Sequence, residues 1–135
     1  MLPSGLPDHV DDEEELARFL YQSNQFTTTI VKPAALLPNP KDRETSVSRH
    51  GREPREKLWE IGLAAAGTRN LHGAAVFKAR DVRAAQLEVS ADEPPPRHAV
   101  IKHWPWIDND PELQKAKQKE QALLIVSASG PPLLC

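Results

Sequence analysis

The triplet Arg49-His50-Gly51 has the residue types that could carry out phosphoryl transfer. An arginine can bind a phosphate, a histidine can attack phosphorus, and a glycine lets the backbone come close to the ligand. The preceding residues, Thr45 to Arg49, are predicted to form a short strand, so the triplet would lie at the end of that strand. A nucleophilic histidine also needs further cations and a proton donor, which must come from elsewhere in the chain.

The same triplet resembles the motif of the histidine phosphatase superfamily. The resemblance implies that Arg49 is a phosphate ligand and that His50 is the nucleophile. In that superfamily the triplet ends the first strand of a doubly wound sheet, and a second histidine stands next to an acid. The later histidines of this chain have no acidic neighbour: His72, His98 and His103. An incidental turn is therefore the favoured interpretation, and a phosphate-ester hydrolase using Arg49 and His50 stays as an alternative.

A proline-framed segment, residues 94–106, gathers three consecutive prolines, two of the five histidines and two of the three tryptophans. Prolines hold the chain extended, and each indole offers a large flat contact surface. These residue types predict a partner-binding surface made of Arg97, His98, Lys102, His103, Trp104 and Trp106.

The two tryptophans of this segment allow two further interpretations. Trp104 and Trp106 could stack bases while Arg97 and Lys102 meet phosphates, which gives single-stranded nucleic-acid binding as an alternative function. The Trp-Pro-Trp sequence can equally be a hydrophobic plug under a terminal helix, and the plug is favoured over a stacking platform. Because the formal net charge of the chain is -2, nucleic-acid binding driven mainly by charge is not favoured.

Histidine spacing and cysteine content argue against a metal site. His98 and His103 are five residues apart, so they would point to opposite faces of a strand, or lie about 140° apart on a helix. The single cysteine, Cys135, is the last residue and can form neither an intramolecular disulfide nor a thiolate cluster. Ser46 and Ser48 lie in no glycine-flanked elbow. We therefore expect no metal, no cofactor and no catalytic residue outside the triplet.

Length and composition predict one folded unit. With 135 residues, of which 39% are hydrophobic and 27% charged, the chain can bury one modest core. We predict a flexible segment over residues 1–10, a single domain over residues 11–126 and a flexible tail over residues 127–135. Residues 32–102 carry 13 bases and 9 acids, and this balance of +4 is typical of a solvated surface.

Membrane and export signals are missing from the sequence pattern. The amino terminus lacks a basic region followed by an apolar core, and the longest apolar run elsewhere, residues 122–126, is too short to cross a bilayer. We expect a cytoplasmic protein with no membrane contact.

Periodicity and turn residues predict an α+β fold, in which a mainly antiparallel sheet of four or five short strands packs with about three helices. Helices are expected from Asp11 or Asp12, from Pro54 to about Ala66, and from residues 109–111 until Gly130-Pro131-Pro132 ends regular structure. Strands are expected over residues 26–31, 45–49, 74–78, 84–89 and 98–102. The inward face of the last helix is predicted to carry Leu113, Ala116, Glu120 and Leu123 or Leu124. The predicted core contains Phe19, Leu20, Ile30, Leu58, Ile61, Phe77, Leu87, Val89, Val100 and Leu123.

Several segments together resemble a set of small bacterial proteins whose function is not established. The resemblance covers residues 16–106 and lies in Arg18-Phe19-Leu20 with Ser23, Val31-Lys32-Pro33, Ser46-Val47 with Arg49, Trp59-Glu60-Ile61-Gly62, Asp81-Val82-Arg83 with Leu87 and Val89, and Pro96 with His98-Ala99, Ile101 and Trp104-Pro105. The resemblance implies a single compact unit and supplies no activity. It does not extend to His50 and Gly51, which counts against the phosphatase alternative.

The sequence therefore favours a binding or accessory module over an enzyme. The hypothesis is that the module recognises a macromolecule, in the first place a protein, through the segment around Arg97 to Trp106.

Overall fold

The computed structural model describes residues 2–51 and 53–135, and its centre is a sheet with helices on both sides. The strands are β1 (Glu15–Leu20), β2 (Thr45–Arg49), β3 (Gly73–Lys78), β4 (Glu88–Ala91), β5 (His98–Lys102) and β6 (Leu133–Leu134). The helices are α1 (Arg55–Ala66), α2 (Ala79–Ala84) and α3 (Pro111–Ser129), with 3-10 turns at Ser23–Gln25 and Pro33–Leu36. The strands lie in the order β4-β5-β2-β1-β3-β6, and all neighbours are antiparallel. This confirms the predicted single α+β domain, with six strands instead of four or five.

The first predicted helix is wrong, because residues 15–20 form a central strand of the sheet. β1 pairs with β2 on one side and with β3 on the other. Side chains of a strand alternate between its two faces, and both faces of β1 are apolar: Leu16 and Leu20 point to one side, and Ala17 and Phe19 to the other. A strand buried on both sides has the near-continuous apolar pattern that we read as one face of a helix.

One predicted strand, 26–31, is absent, and another, 84–89, is shifted so that it begins only at Glu88. Within residues 26–31 only Phe26 and Val31 form an isolated bridge, and the residues between them make a turn in which the Thr27 amide donates to the Ile30 carbonyl over 2.8 Å. Ile30 is consequently 54% exposed and does not belong to the core. Instead of a strand over 84–89, the chain forms α2 and then β4, because the Asp81 carboxylate accepts from the Lys78 amide at 3.0 Å and caps the helix.

The sheet has two chemically different sides. Residues of alternate strand positions, such as Leu16, Val47 and Ile101, pack with Ile125 of α3, and we call this the α3 side. The opposite, α1 side holds a smaller cluster in which side chains of β1 and β3 pack against α1. Its members are Ala17, Phe19, Leu58 and Ala74, with Tyr21, Trp59, Ile61, Leu71, Val76 and Leu133 partly buried against them. Of the predicted core, Phe19, Leu20, Leu58, Phe77, Leu87, Val89 and Val100 are buried.

Helix α3 buries a different face from the one predicted. Its buried residues are Gln118, Ala122, Ile125 and Val126. The residues that we expected to face inward are exposed: Leu113, Ala116, Glu120, Leu123 and Leu124. The error arises because two glutamines, Gln118 and Gln121, occupy the inward side and donate to the carbonyls of Pro105 and Ala85. Polar residues with main-chain partners are therefore part of the buried face.

Regular structure does not end at Gly130-Pro131-Pro132, because β6 follows and pairs with Gly73 and Ala74 of β3. The backbones of β3 and β6 approach so closely there that a Cβ atom on Gly73 would lie 2.3 Å from the Leu133 carbonyl oxygen. At the other end of the chain, Val10 is buried and Ser4 bonds to the Glu93 carboxylate. Among the described residues, no helix is both long and apolar enough to span a bilayer.

Candidate functional site

Three strands bring an acid, an imidazole and a hydroxyl into one row on the α1 side of the sheet. Ser48 of β2 lies directly opposite His98 of β5, and the amide of Asp92, just after β4, donates to the His98 carbonyl over 2.9 Å. Arg49 donates its amide to the Arg97 carbonyl over 2.7 Å, so the adjacent pair, Ser48 and His98, is a non-hydrogen-bonded pair. Side chains of such pairs are the closer ones in an antiparallel ladder.

The hydrogen bonds of His98 fix which ring nitrogen carries its proton. Nδ1 of His98 lies 2.9 Å from the Asp92 carbonyl oxygen and 3.2 Å from Oδ2 of the Asp92 carboxylate. Both partners can only accept, so Nδ1 donates and Nε2 of the neutral ring keeps its lone pair. Nε2 of His98 and the Ser48 hydroxyl have no hydrogen-bond partner among residues 2–51 and 53–135. Both groups are therefore available to a ligand.

A trough of about 450 Å³ lies beside Ser48 and His98, along β1 and β2 and next to the end of α1; Asp92 is not in its lining. Ser46, Ser48 and His98 belong to its lining, and Tyr21 and Arg69 lie where α1 borders it. The Arg69 guanidinium stacks 4.0 Å from the centre of the Tyr21 ring and donates from Nε to the Ala66 carbonyl over 3.0 Å. The Tyr21 hydroxyl donates to the Gly62 carbonyl over 3.2 Å, and burial raises the pKa of Tyr21. These contacts hold one wall of the trough in place.

Charged residues of both signs complete the trough. Asp42 and Glu44 line it on the side of the loop before β2. Lys102 lies on the same face of β5 as His98, because the two residues are four positions apart in the strand, and it has no partner in the part of the chain that the structure describes. We call the α1 side of β2, β5 and β4 the open face, since the apolar cluster under α1 includes no residue of these three strands.

The predicted phosphate ligand, Arg49, lies in the interior on the α3 side. Its side chain is 0% exposed. Its Nε and Nη2 atoms contact the two carboxylate oxygens of Glu14 at 2.6 and 2.9 Å, and Nη1 and Nη2 donate to the Pro7 and His9 carbonyls at 2.8 and 3.4 Å. A guanidinium with this set of partners has its charge balanced and its donors used, so Arg49 ties residues 7–14 to the end of β2.

The neighbouring His50 is buried too, at 5% exposure, and borders a second cleft of about 460 Å³ with Glu15, Glu53 and Arg55. Burial lowers the pKa of His50, and the nearby Glu15, whose Oε1 is 3.9 Å from Nε2, opposes that shift. Nδ1 of His50 is buried without a hydrogen-bond partner among the described residues. The triplet therefore does not assemble as one site, because Arg49 and His50 have different surroundings.

The residues of the predicted partner-binding segment do not form one surface. Arg97 donates to Glu53 over 2.9 Å and to the Arg49 carbonyl over 3.3 Å, next to the His50 cleft. His98 and Lys102 lie on the open face, while His103 is exposed just beyond β5 with a φ of 73°. Strand alternation explains this separation, since consecutive side chains point to opposite sides of the sheet.

The two tryptophans differ in exposure. Trp104 is 6% exposed and packs in the core on the α3 side, where its indole nitrogen has no partner in the described chain. Trp106 is partly exposed, and the Arg43 guanidinium lies 4.6 Å from the centre of its ring. Trp104 is thus a hydrophobic plug, and Trp106 is the tryptophan of this pair that can contact a ligand.

Metal ligands are not gathered anywhere in the described residues, where no three His, Cys, Asp or Glu side chains lie close enough to hold an ion. Comparisons with protein-family models, with curated proteins and with solved structures find no match to this chain.

Sequence reasoning missed Ser48 and Asp92 as neighbours of His98. The signal that could have found them is the strand register: once β5 and β2 are paired, one cross-strand contact fixes all the others. Motif searches fail here because Ser48 lies far in sequence from Asp92 and His98, which are themselves six residues apart.

Proposed function

We propose that the protein is a cytoplasmic binding module that recognises a protein partner through the open face. The observation that carries the proposal is the trough of about 450 Å³ on an uncovered half of a sheet, with free hydrogen-bonding groups in its floor. Ser46 and Ser48 have hydroxyls without partners among the described residues, and His98 has a free ring nitrogen. Such groups can pair with main-chain or polar side-chain atoms of a partner.

Charge supports a protein partner over a polyanion. Asp42 and Glu44 line the trough together with the cationic Arg18 and Arg69, so the lining has no strong field of one sign. A nucleic acid would favour a cluster of cations, each meeting a phosphate. A peptide or protein surface with mixed polar and charged groups fits this pattern better.

Part of the predicted segment belongs to this proposed interface. His98 and Lys102 contribute from β5, and Trp106 with the stacked Arg43 extends the surface beyond the strand. Tryptophan and arginine are the residue types that most often dominate binding energy in interfaces. Arg97, held by Glu53 next to the His50 cleft, and Trp104, held in the core, are left out of the proposed interface.

The two alternative functions have less support. For phosphate-ester hydrolysis by the triplet, Arg49 would have to bind the phosphate, but its donors are bound to Glu14 and to main-chain carbonyls. For single-stranded nucleic-acid binding, Trp104 cannot stack on a base because it is buried, which leaves Trp106 of the two proposed rings.

The experiment compares partners recovered from a native lysate by four forms of the full chain. Ser46→Arg fills the trough, Lys102→Glu reverses a charge of the open face, and Trp106→Ala removes the exposed ring. Lys117→Glu is the matched control, because Lys117 is exposed on α3, outside the open face. We expect the first three variants to reduce recovery of a specific partner about tenfold or more, which is about 1.4 kcal/mol of binding free energy.

The control variant is expected to recover the same partner in the wild-type amount. If all four variants retain the same partners in equal amounts, the open face is not the interface. Circular dichroism of each variant checks that the fold is unchanged.

A further inference from the structure

We propose that Ser48, His98 and Asp92 form a nucleophilic catalytic site that hydrolyses small polar carboxylic esters. The inference shares the trough with the proposed interface but does not depend on a protein partner. Its basis is the order of the three groups across the sheet: carboxylate, imidazole and hydroxyl. Nucleophilic hydrolases on unrelated folds use this order, so it is recognised by geometry instead of by sequence position.

The orienting half of the site is already formed. Asp92 holds Nδ1 of His98 through its carbonyl at 2.9 Å and its carboxylate at 3.2 Å. This pair of contacts fixes the tautomer in which Nε2 can take a proton, and the carboxylate stabilises the imidazolium that forms when it does. His98 is therefore prepared as a general base.

The nucleophilic half needs only a side-chain rotation. Ser48 stands opposite His98 in a non-hydrogen-bonded pair, in which Cβ atoms are about 4.5 to 5.5 Å apart. The Ser48 hydroxyl is not bonded to Nε2, and it has no partner among the described residues that would oppose a χ1 rotation toward the ring. Catalytic hydrogen bonds are often long before substrate binds and shorten in the complex.

The proposed reaction has two balanced steps. Ser48 Oγ attacks the ester carbonyl carbon while Nε2 of His98 takes the hydroxyl proton; the bond from that carbon to the alcohol oxygen then breaks, and His98 returns the proton to the leaving alcohol. A water molecule next attacks the acyl carbon with loss of its proton to Nε2, and the departing Ser48 oxygen regains that proton. The Ser46 hydroxyl lines the same trough without a described partner and can donate to the oxyanion.

The size and polarity of the trough select the substrate class. A volume of about 450 Å³ fits a small molecule, and the lining is mainly polar. The lining carries two cations, Arg18 and Arg69, and two carboxylates, Asp42 and Glu44, which suits an ester whose alcohol or acyl part carries polar groups.

The test is covalent labelling of the full chain with a fluorophosphonate, followed by peptide mass spectrometry. We expect one adduct on Ser48, no adduct in Ser48→Ala, and labelling slowed about 100-fold or more in His98→Gln, as general-base removal predicts. Asp92→Asn should slow labelling less, because the Asp92 carbonyl still holds Nδ1. Hydrolysis of p-nitrophenyl acetate should fall in the same order.

Matched controls are Ser127→Ala and His9→Gln, since both residues are exposed and lie outside the trough. Both should label and hydrolyse at the wild-type rate. The proposal is overturned if the wild-type chain takes up no label, if exposed serines label as fast as Ser48, or if His98→Gln labels at the wild-type rate. None of these results bears on Lys102→Glu or Trp106→Ala, so failure here leaves the partner experiment to be judged separately.

Discussion

Ser48 and Arg49 are neighbours in β2, yet their side chains point to opposite sides of the sheet and have opposite surroundings. Arg49, on the α3 side, is fully buried and contacts Glu14, Pro7 and His9. Ser48, on the α1 side, is partly exposed and has no partner among the described residues. The sequence motif offered the arginine as a phosphate ligand in one alternative hypothesis, but the available hydrogen-bonding group belongs to the serine.

A polar residue is therefore a candidate ligand only if the fold leaves one of its hydrogen-bond donors or acceptors unused. A buried charge needs partners to be stable, so Arg49 uses its donors within the fold. A polar group at a ligand site needs the reverse, a free donor or acceptor next to open space. By this criterion the α3 side of the sheet is structural, and the open face carries the candidate site.

The comparison predicts its largest effect at Arg49. Arg49→Met should reduce the free energy of unfolding by about 3–5 kcal/mol, because it leaves the Glu14 carboxylate without its buried partner. Urea denaturation measures the change. Arg80→Met is the control, since Arg80 pairs with Glu13 at the surface and should change stability by no more than about 1 kcal/mol. Equal effects of the two variants would show that burial does not distinguish them.

Trp104 provides the second test of the α3 side. Trp104→Ala should reduce the free energy of unfolding by about 3 kcal/mol, which is at the low end for a buried tryptophan. The loss is at the low end because the substitution also removes the buried indole N–H, which has no partner in the described chain. Trp106→Ala, which removes a partly exposed ring stacked with Arg43, should cost about 1 kcal/mol or less. Thermal or urea unfolding of both variants measures the difference. A larger loss of stability in Trp106→Ala than in Trp104→Ala would contradict the assignment of Trp104 to the core.

The third test uses acid and His50. Burial lowers the pKa of His50 in the folded chain, and the positive charge of Arg97 lowers it further. The carboxylates of Glu15, Glu14 and Glu53 raise it but do not outweigh burial. The unfolded chain therefore takes up a proton at higher pH than the folded chain does, so stability should fall as the pH drops below the ordinary histidine value of about 6.5. Urea midpoints between pH 7.5 and 5 measure this fall. It should be smaller in His50→Gln, and a fall of unchanged size would refute this assignment.

The smallest effect is expected at the open face. Ser48→Ala should change the free energy of unfolding by no more than about 0.5 kcal/mol, because the hydroxyl has no partner to lose. The same urea series used for Arg49→Met provides the measurement. A loss above about 1 kcal/mol would mean that Ser48 is a structural residue and that the contrast with Arg49 is not real.

Much of the fold could be predicted where local pattern and tertiary context agree. Strands β2 and β5 and helix α1 have the predicted bounds or nearly so, since β-branched alternation and Pro54 before the helix are local signals. Strand β1 was not predictable in the same way. Its acidic flank favours a helix start locally, and only its central place between β2 and β3 explains why both faces are apolar.

The candidate site was predictable in part. His98 was identified from the sequence, but as a residue of a linear segment. Asp92 is six residues from His98 and meets it where β4 pairs with β5. Ser48 meets His98 only through the pairing of β2 with β5, a contact between distant parts of the sequence that no local pattern encodes. Burial of Arg49 depends likewise on Glu14, which would lie in the first turn of the helix that we expected to begin at Asp11 or Asp12.

Strand β6 has a consequence for how the protein behaves in concentrated solution. The outer edge of β3 would otherwise offer unpaired main-chain groups at Gly73 and Ala74, where the side chains are too small to obstruct another strand. An edge of this kind is a template for joining sheets of different molecules. By occupying those two positions, Leu133–Leu134 act as a barrier to self-association, and the closeness of Gly73 to Leu133 suggests that even an alanine at position 73 would weaken that barrier and promote aggregation.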